Sequence, residues 1–491
     1  MDVQTSLLGL STRFGTAVSQ AMVSSEIPLP DGRDAAEVLS AFARATVDGA
    51  ECVSGALQVT GRLELFLVCR SLAGDAFGFT AQSNFTQNMD LEGAAPGMVP
   101  EVNAQVMECN VTPDSLRLRL AAILELNAFV TAPVTTPFVT DITGPAGLEK
   151  RRAQLETKRR VLLGEVTQRV REETDARGVV RVLVYHGTAE IGSLSYSGAS
   201  TCEADGRLLV TVLAETESGE LMQMPITIPF NCSFDAQFLP VTWAVCTVES
   251  LSVVATDVSF GLLDVEGVVR IRLYGIETYT CDALADAYDA NADFTCRTEQ
   301  IERLSCEGAA KQNFSISENL LIPKSLPDAR KPIWATAMPA VTGTFERNGM
   351  LCADVMLLVS VVFRCEEGRL HCFTEDLPVQ VEFNVPYTSD AQVQCAVLST
   401  SAGGSGRTLT LNVQLSALAL LFHVEPVTLT AEVVAGGEPC PYSGILIYCA
   451  DAGETVWDVG KRFHVPLHSL TDWNANLNEP LEEGQAIVLM K

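Results

Sequence analysis

A mainly β fold is what this sequence predicts: three tandem β-rich, sandwich-like units, then a small strand–helix–helix–strand module at the C-terminus. Three observations predict it. Apolar residues alternate through Leu63–Val68, Leu208–Leu213 and Val355–Val361, the two-residue period of a half-buried strand. These strands sit in a frame that recurs roughly every 145 residues, the mark of an internal repeat. The last 48 residues, Gly444–Lys491, leave that period for a helical one and then return to it.

Each element of the frame can be followed in order. An opening turn leads into an extended segment: Ile27–Asp31 with Ala35–Val47, Thr174–Gly178 with Val179–Ile191, and Ile322–Pro327 with Pro332–Val341. A glycine precedes each alternating strand, at Gly61, Gly206 and Gly349, with separations of 145 and 143 residues. A second turn follows at Ala73–Asp75, Ser218–Glu220 and Glu367–Arg369, and the next strand carries Phe85, Phe230 or Phe383. The rear half opens at Val106–Cys109, Ala244–Cys246 and Val393–Cys395, and turns at Thr112–Ser115, Asp264–Gly267 and Ser401–Gly406. It closes in the long strands Arg117–Ala128, Arg270–Thr278 and Arg407–Ala419. The Gly-rich run Ser401–Arg407 is therefore read as a hairpin turn and not as a phosphate-cradling loop.

In the tail, Ile445–Tyr448 reads as a strand and Thr455 as a helix cap that accepts from backbone N–H groups further on. Val456, Val459, Gly460 and Phe463 share one helical face. Pro466 separates that helix from a second, carried by Leu467, Leu470 and Trp473, and Gly484 turns the chain into Ala486–Met490. This pattern resembles a LysM domain. The resemblance implies a module that binds and does no chemistry. It implies a groove between two loops, here Gly453, Glu454, Thr455 and Val456 and, after the second helix, Asn476, Leu477, Asn478 and Glu479. Gly460 departs from the pattern, which has Ala there, at a small cost in helix propensity. Seven acids (Asp451, Glu454, Asp458, Asp472, Glu479, Glu482, Glu483) stand against Lys461, Arg462 and Lys491. A neutral N-acetylglucosamine strand tolerates that balance, an anionic wall is repelled by it, and a protein partner suits it equally.

The three repeats resemble the SPOCS domain of spore-coat assembly proteins. The second copy carries the most specific match, Asp282–Asp289, in which Asp286-Ala287-Tyr288 is similar to the Asp-Ala-Tyr segment that closes this domain. The first copy, without a clear Asp-Ala-Tyr segment, departs most. Three such units before a LysM domain resemble the SpoIVA-interacting, SipL-type spore morphogenetic family of clostridia. The expected division is residues 1–140, 159–290 and 313–435 for the repeats and 444–491 for the LysM domain. A basic linker, helical in part, is expected at 141–158, with further linkers at 291–312 (polar, partly helical) and 436–443.

The basic linker expectation rests on Lys150, Arg151, Arg152, Lys158, Arg159, Arg160, Arg169 and Arg171, eight of the 33 basic residues within 22 positions. Leu148, Leu155 and Leu162 recur at seven and suit an amphipathic helix from Leu148 to Arg160. Such a face is either a docking patch or a solvated linker. The segment before the tail contains Gly436, Gly437, Pro439 and Pro441, and would hold the module near the third repeat while letting it swing.

Composition narrows the function further. The chain has 491 residues, 47% hydrophobic and 19% charged, with a formal net charge of −28. That charge repels phosphate backbones and argues against nucleic acid as partner. The most apolar runs, Val355–Phe363 and Leu415–Phe422, fall far short of the roughly 20 residues that cross a bilayer, so no membrane insertion is expected. Met1–Thr5 opens without a basic stretch leading into an apolar one, so no secretory leader is expected. The 15 cysteines include no Cys-x-x-Cys, and several lie in apolar stretches, as reduced buried thiols do. A cytoplasmic setting follows.

No catalytic constellation is evident. His371-Cys372 near Cys365 has metal-binding elements, but strand alternation points neighbours to opposite faces. His464 and His468 are separated by Pro466, which breaks the helix such a pair would need. No enzyme activity, cofactor or metal is expected. The resemblance implies instead a non-catalytic scaffold in the mother cell that recruits coat components to the forespore surface, with the coat-basement ATPase SpoIVA as partner. Self-association through sheet edges is a further expectation. The alternative is a LysM-mediated peptidoglycan-binding protein of the wall or cortex.

Overall fold

Six strands, in the same order, make each of three successive units. The first holds β1 (Asp2–Pro28), β2 (Glu37–Val53), β3 (Ala56–Arg70), β4 (Ala76–Asp90), β5 (Val99–Asp114) and β6 (Arg117–Thr143). The second holds β7 (Leu148–Asp175), β8 (Val179–Ser197), β9 (Thr201–Thr216), β10 (Leu221–Asp235), β11 (Thr242–Asp257) and β12 (Leu262–Asp289). The third holds β13 (Phe294–Leu321), β14 (Ala329–Arg347), β15 (Met350–Cys365), β16 (Leu370–Pro386), β17 (Gln392–Gly403) and β18 (Thr408–Ala435). The C-terminal module follows: β19 (Ile445–Cys449), α1 (Val456–Phe463), α2 (Leu467–Trp473) and β20 (Ala486–Met490). The structure, a computed structural model, describes all residues except 1, 31, 115, 145–146, 199, 258–260, 437–443, 475–476, 478 and 491. The mainly β expectation, with a βααβ end, holds.

Every unit is two antiparallel three-stranded sheets packed face to face. In the first, β2-β3-β4 covers β1-β6-β5, and the other two repeat the order as β8-β9-β10 on β7-β12-β11 and β14-β15-β16 on β13-β18-β17. The core between the sheets follows strand alternation: Leu63, Leu65 and Leu67 point inward with Leu120, Leu124 and Leu126 opposite. The other face of β3 is also apolar. Phe66 and Val68 join Leu183 and Leu213 of the second unit and Trp334 and Val362 of the third in one shared cluster. The middle strands are thus buried on both faces, which accounts for their nearly unbroken hydrophobicity.

The three units close into a ring, in which β4 meets β8, β10 meets β14 and β16 meets β2. Open strand edges at these seams are capped by side chains of the neighbouring unit. The Gln105 amide donates to Val341 O at 2.8 Å and accepts from Val341 N–H at 2.9 Å. Gln223 bridges two strands of the third unit, accepting from Ala335 N–H of β14 at 2.9 Å and donating to Thr400 O of β17 at 2.6 Å. Away from the shared cluster the long strands β6, β12 and β18 converge on a second one, with Phe129, Ile276 and Phe422 at its centre.

The structure corrects four expectations from sequence. The basic segment from Leu148 is the start of strand β7, not a helix, and it pairs with β12 along its whole length. Its charges meet acids across the strands: Lys158 with Glu307 at 2.9 Å, Arg171 with Asp264 at 2.9 Å, Lys150 and Arg152 with Asp141 at 2.8 Å. Pairing of that extent outweighs local helical preference. The polar stretch 291–312 likewise lies largely in β13. Asp264–Gly267 is part of β12 and not a turn, while the hairpin read at Ser401–Gly406 does connect β17 to β18.

The recurring glycine is the fourth. Gly61 and Gly206 sit mid-strand, where a Cβ would overlap the rings of Phe85 and Phe230. Gly349 has φ +80° beside Asn348 at φ 54° and shapes the β14–β15 turn instead. The residue of β15 in register with Gly61 and Gly206 is Val355, which pairs with Val341 and Val379 as they pair with Val47 and Phe85, and with Ile191 and Phe230.

Candidate functional site

The C-terminal module is built as its sequence predicts. Thr455 caps α1 in a reciprocal box: Asp458 N–H donates to Thr455 Oγ1 at 3.2 Å and Thr455 N–H donates to Asp458 Oδ2 at 2.9 Å. Val456, Val459, Leu470, Leu481, Ile487 and Leu489 form its core, with Phe463 and Trp473 packed on it. β19 and β20 pair antiparallel from Ile445–Met490 to Cys449–Ala486.

The two loops read as a groove do come together. Gly453 N–H donates to Leu481 O at 3.2 Å, Leu481 N–H donates to Glu454 O at 2.8 Å, and Glu479 Oε1 accepts from Val456 N–H at 2.8 Å. Thr455 is half-buried, Val456 is buried and Leu477 packs against the core, while Asn476 and Asn478 lie outside the described residues. The carboxylates here are occupied internally. Glu454 Oε2 accepts from Tyr448 OH at 2.8 Å and Asp451 N–H at 2.9 Å, and Arg462 lies 2.7 Å from Oε1. Burial works to raise the Glu454 carboxyl, but these donors and that charge outweigh it and hold it below its ordinary value.

Sequence reasoning missed the face beside the groove. Trp457, Gly460, Lys461 and His464 lie along one flank of α1 and dock against the end of β12. Trp457 Nε1 donates to Asp286 Oδ2 at 2.9 Å, and Lys461 Nζ donates to both oxygens of the same carboxylate at 2.6 and 2.7 Å. Tyr288, 2% exposed, stacks edge-on against Trp457 at 5.1 Å and donates its hydroxyl to Val465 O at 2.8 Å. Burial, with Glu149 nearby, pushes that phenol well above its ordinary value, so it stays a donor. His464 Nδ1 lies 2.9 Å from Asp289 O, and Leu467 N–H donates to Glu149 Oε1 at 3.1 Å. The module therefore rests on the second unit. The signal was present in Asp286-Ala287-Tyr288, a motif whose partner is 175 residues away.

With its α1 flank covered, the module leaves β19 bare. Ile445 is 73% exposed and Ile447 64%, on a strand that among the described residues is paired along one edge only.

Residues 34–114, which run from just before β2 to the end of β5, match the family model described as SipL, SPOCS domain. Over those residues the first unit is similar to a SPOCS domain. No curated protein and no solved structure matches the chain. The match falls on the copy whose sequence departs most from the expected pattern, and the second and third units repeat the strand order of this SPOCS domain. The matched model describes a domain associated with sporulation and the spore coat. The described residues include no cluster of three or more His, Cys, Asp or Glu placed to hold a metal. The cysteines among them are free, and burial pushes the thiols of Cys69, Cys109, Cys246 and Cys395 up to about 12. No helix of the described residues is long and apolar enough to cross a membrane.

Proposed function

We propose that this protein is a non-catalytic scaffold of spore-coat assembly, in which the ring of SPOCS-like units presents a LysM-type module to a protein partner. The observation that carries the reading is the bare β19 edge. Ile445 and Ile447 are large, apolar and exposed, and the adjoining edge has backbone groups free to pair with a partner's strand. A glycan groove would instead need polar groups free to bind sugar hydroxyls, and among the described groove residues Glu454 and Glu479 accept from the module's own N–H and O–H donors. The family resemblance points to a SpoIVA-like coat ATPase at the forespore surface as partner. The seams of the ring support a single body, so self-association would run through surfaces other than the capped edges.

The test is retention of purified SpoIVA-like ATPase and of peptidoglycan sacculi by the full chain and by a chain lacking residues 444–491. The scaffold reading expects ATPase retention that depends on those residues and no retention of sacculi. Retention of sacculi alone would favour the wall or cortex reading instead.

A further inference from the structure

A chamber of about 590 Å³ lies where the three units meet. Its walls are the edge strands β2, β5, β8, β11, β14 and β17, with Lys311 of β13 and Ser416 and Leu418 of β18 completing them. Those edges are not vacant for another strand. Gln105 caps Val341, Arg44 donates to Gly187 O at 2.7 Å, Lys311 donates to Ile191 O at 2.5 Å, and Ala43 N–H donates to Met338 Sδ at 3.2 Å. What remains is space walled by side chains, among them the apolar Leu194, Val245, Met338 and Ala396. Its volume falls within the range of about 300–1,000 Å³ typical of small-molecule sites.

The charges around it select the ligand. Arg44 is neutralised by Glu64 at 2.7 Å. The buried Glu190 is held by Arg207 and lies 3.3 Å from Asn313 Nδ2. Lys311 pairs with the other oxygen of that carboxylate at 3.7 Å, so Glu190 is shared between two cations and the three groups together carry one positive charge. The Lys311 side chain is 34% exposed, and its short bond is to a neutral carbonyl. A net positive charge beside a largely apolar chamber is a specific arrangement in a chain of net charge −28.

We propose that the chamber binds an amphipathic monoanion, its apolar body among Val245, Met338 and Ala396 and its carboxylate on Lys311. The test uses the full-length protein with decanoate as ligand, decanol as its uncharged counterpart and anilinonaphthalene sulfonate as the fluorescent reporter. Decanoate is expected to displace the reporter saturably at one site per chain. Two filling variants, Ala396→Phe and Val245→Trp, should each weaken decanoate at least about tenfold, and either one that retains the wild-type melting temperature suffices. Lys311→Gln should weaken decanoate about tenfold, roughly the loss of one ion pair, and leave decanol unchanged. Absence of saturable decanoate binding to the wild type would overturn the proposal and leave a solvent-filled chamber. So would undiminished binding in a folded filling variant, or indifference of decanoate to Lys311→Gln.

Discussion

The Tyr288 hydroxyl reaches across 2.8 Å to the carbonyl of Val465, and in doing so fills the space in which a side chain at Gly460 would stand. A glycine inside an eight-residue helix is costly by propensity alone. Here the close approach of the second unit requires it.

Gly460→Ala tests that directly. Helix propensity expects a gain of about 1 kcal/mol, whereas the clash with Tyr288 expects a loss of about 1–3 kcal/mol from overpacking. The docking account predicts the loss, read as faster amide exchange across 456–465. Adding Tyr288→Phe, which removes the obstructing oxygen, should recover part of it.

Asp286 gathers the other half of the dock. Asp286→Ala strands Trp457 Nε1 and Lys461 together, at a cost of about 1.5–3 kcal/mol for hydrogen bonds to a charged group. Trp457 fluorescence should shift to the red at unchanged strand content by circular dichroism. An unshifted spectrum would mean that the indole is buried by other contacts.

The module should also respond to acid. Asp458 is held below its ordinary 3.8 chiefly by the Thr455 hydroxyl, and Glu454 below its ordinary 4.5 by donors that outweigh its burial. A carboxyl depressed by folding contributes stability that is complete above its unfolded value and lost as pH falls through the folded one. The module should therefore hold constant stability down to about pH 5 and lose it progressively below. Asp458→Asn should flatten part of that acid limb, as followed by amide exchange or thermal melts from pH 6 to pH 3.

Gly61 and Gly206 should tolerate substitution far less than their strand positions suggest. Alanine at either meets Phe85 or Phe230 and a neighbouring backbone carbonyl, and a loss of about 1–3 kcal/mol is expected. Val355→Ala, at the matching place in the third unit, should instead cost through a cavity. Equilibrium urea unfolding of the three variants distinguishes the two effects, because Phe85→Leu should relieve Gly61→Ala and have no counterpart at Val355.

What was legible in the sequence was local. The period of Leu63, Leu65 and Leu67 declares a strand, and Thr455 ahead of Val456, Val459 and Phe463 declares a capped helix, because partners lie within one element. The strands β7 and β13 were illegible for the opposite reason. Their stability comes from residues such as Asp264, which meets Arg171 from 93 positions away, while their own leucines happen to mimic a helix. Gly349 misled because a turn glycine and a close-approach glycine look identical until the register is known. That the loop at Gly453–Val456 lies beside Glu479 could be expected from the resemblance; the dock could not, since nothing in Lys461 or Trp457 announces Asp286.

The most direct measurement is the affinity of the purified SpoIVA-like ATPase for the full chain and for Ile447→Glu, by calorimetry at one salt concentration. Ile447 is exposed and touches neither the module's core nor its dock, so the variant should fold and dock as the wild type does. A drop of at least about tenfold, or 1.4 kcal/mol, is the predicted result. Equal affinity for both chains would contradict the claim that β19 is where the partner binds.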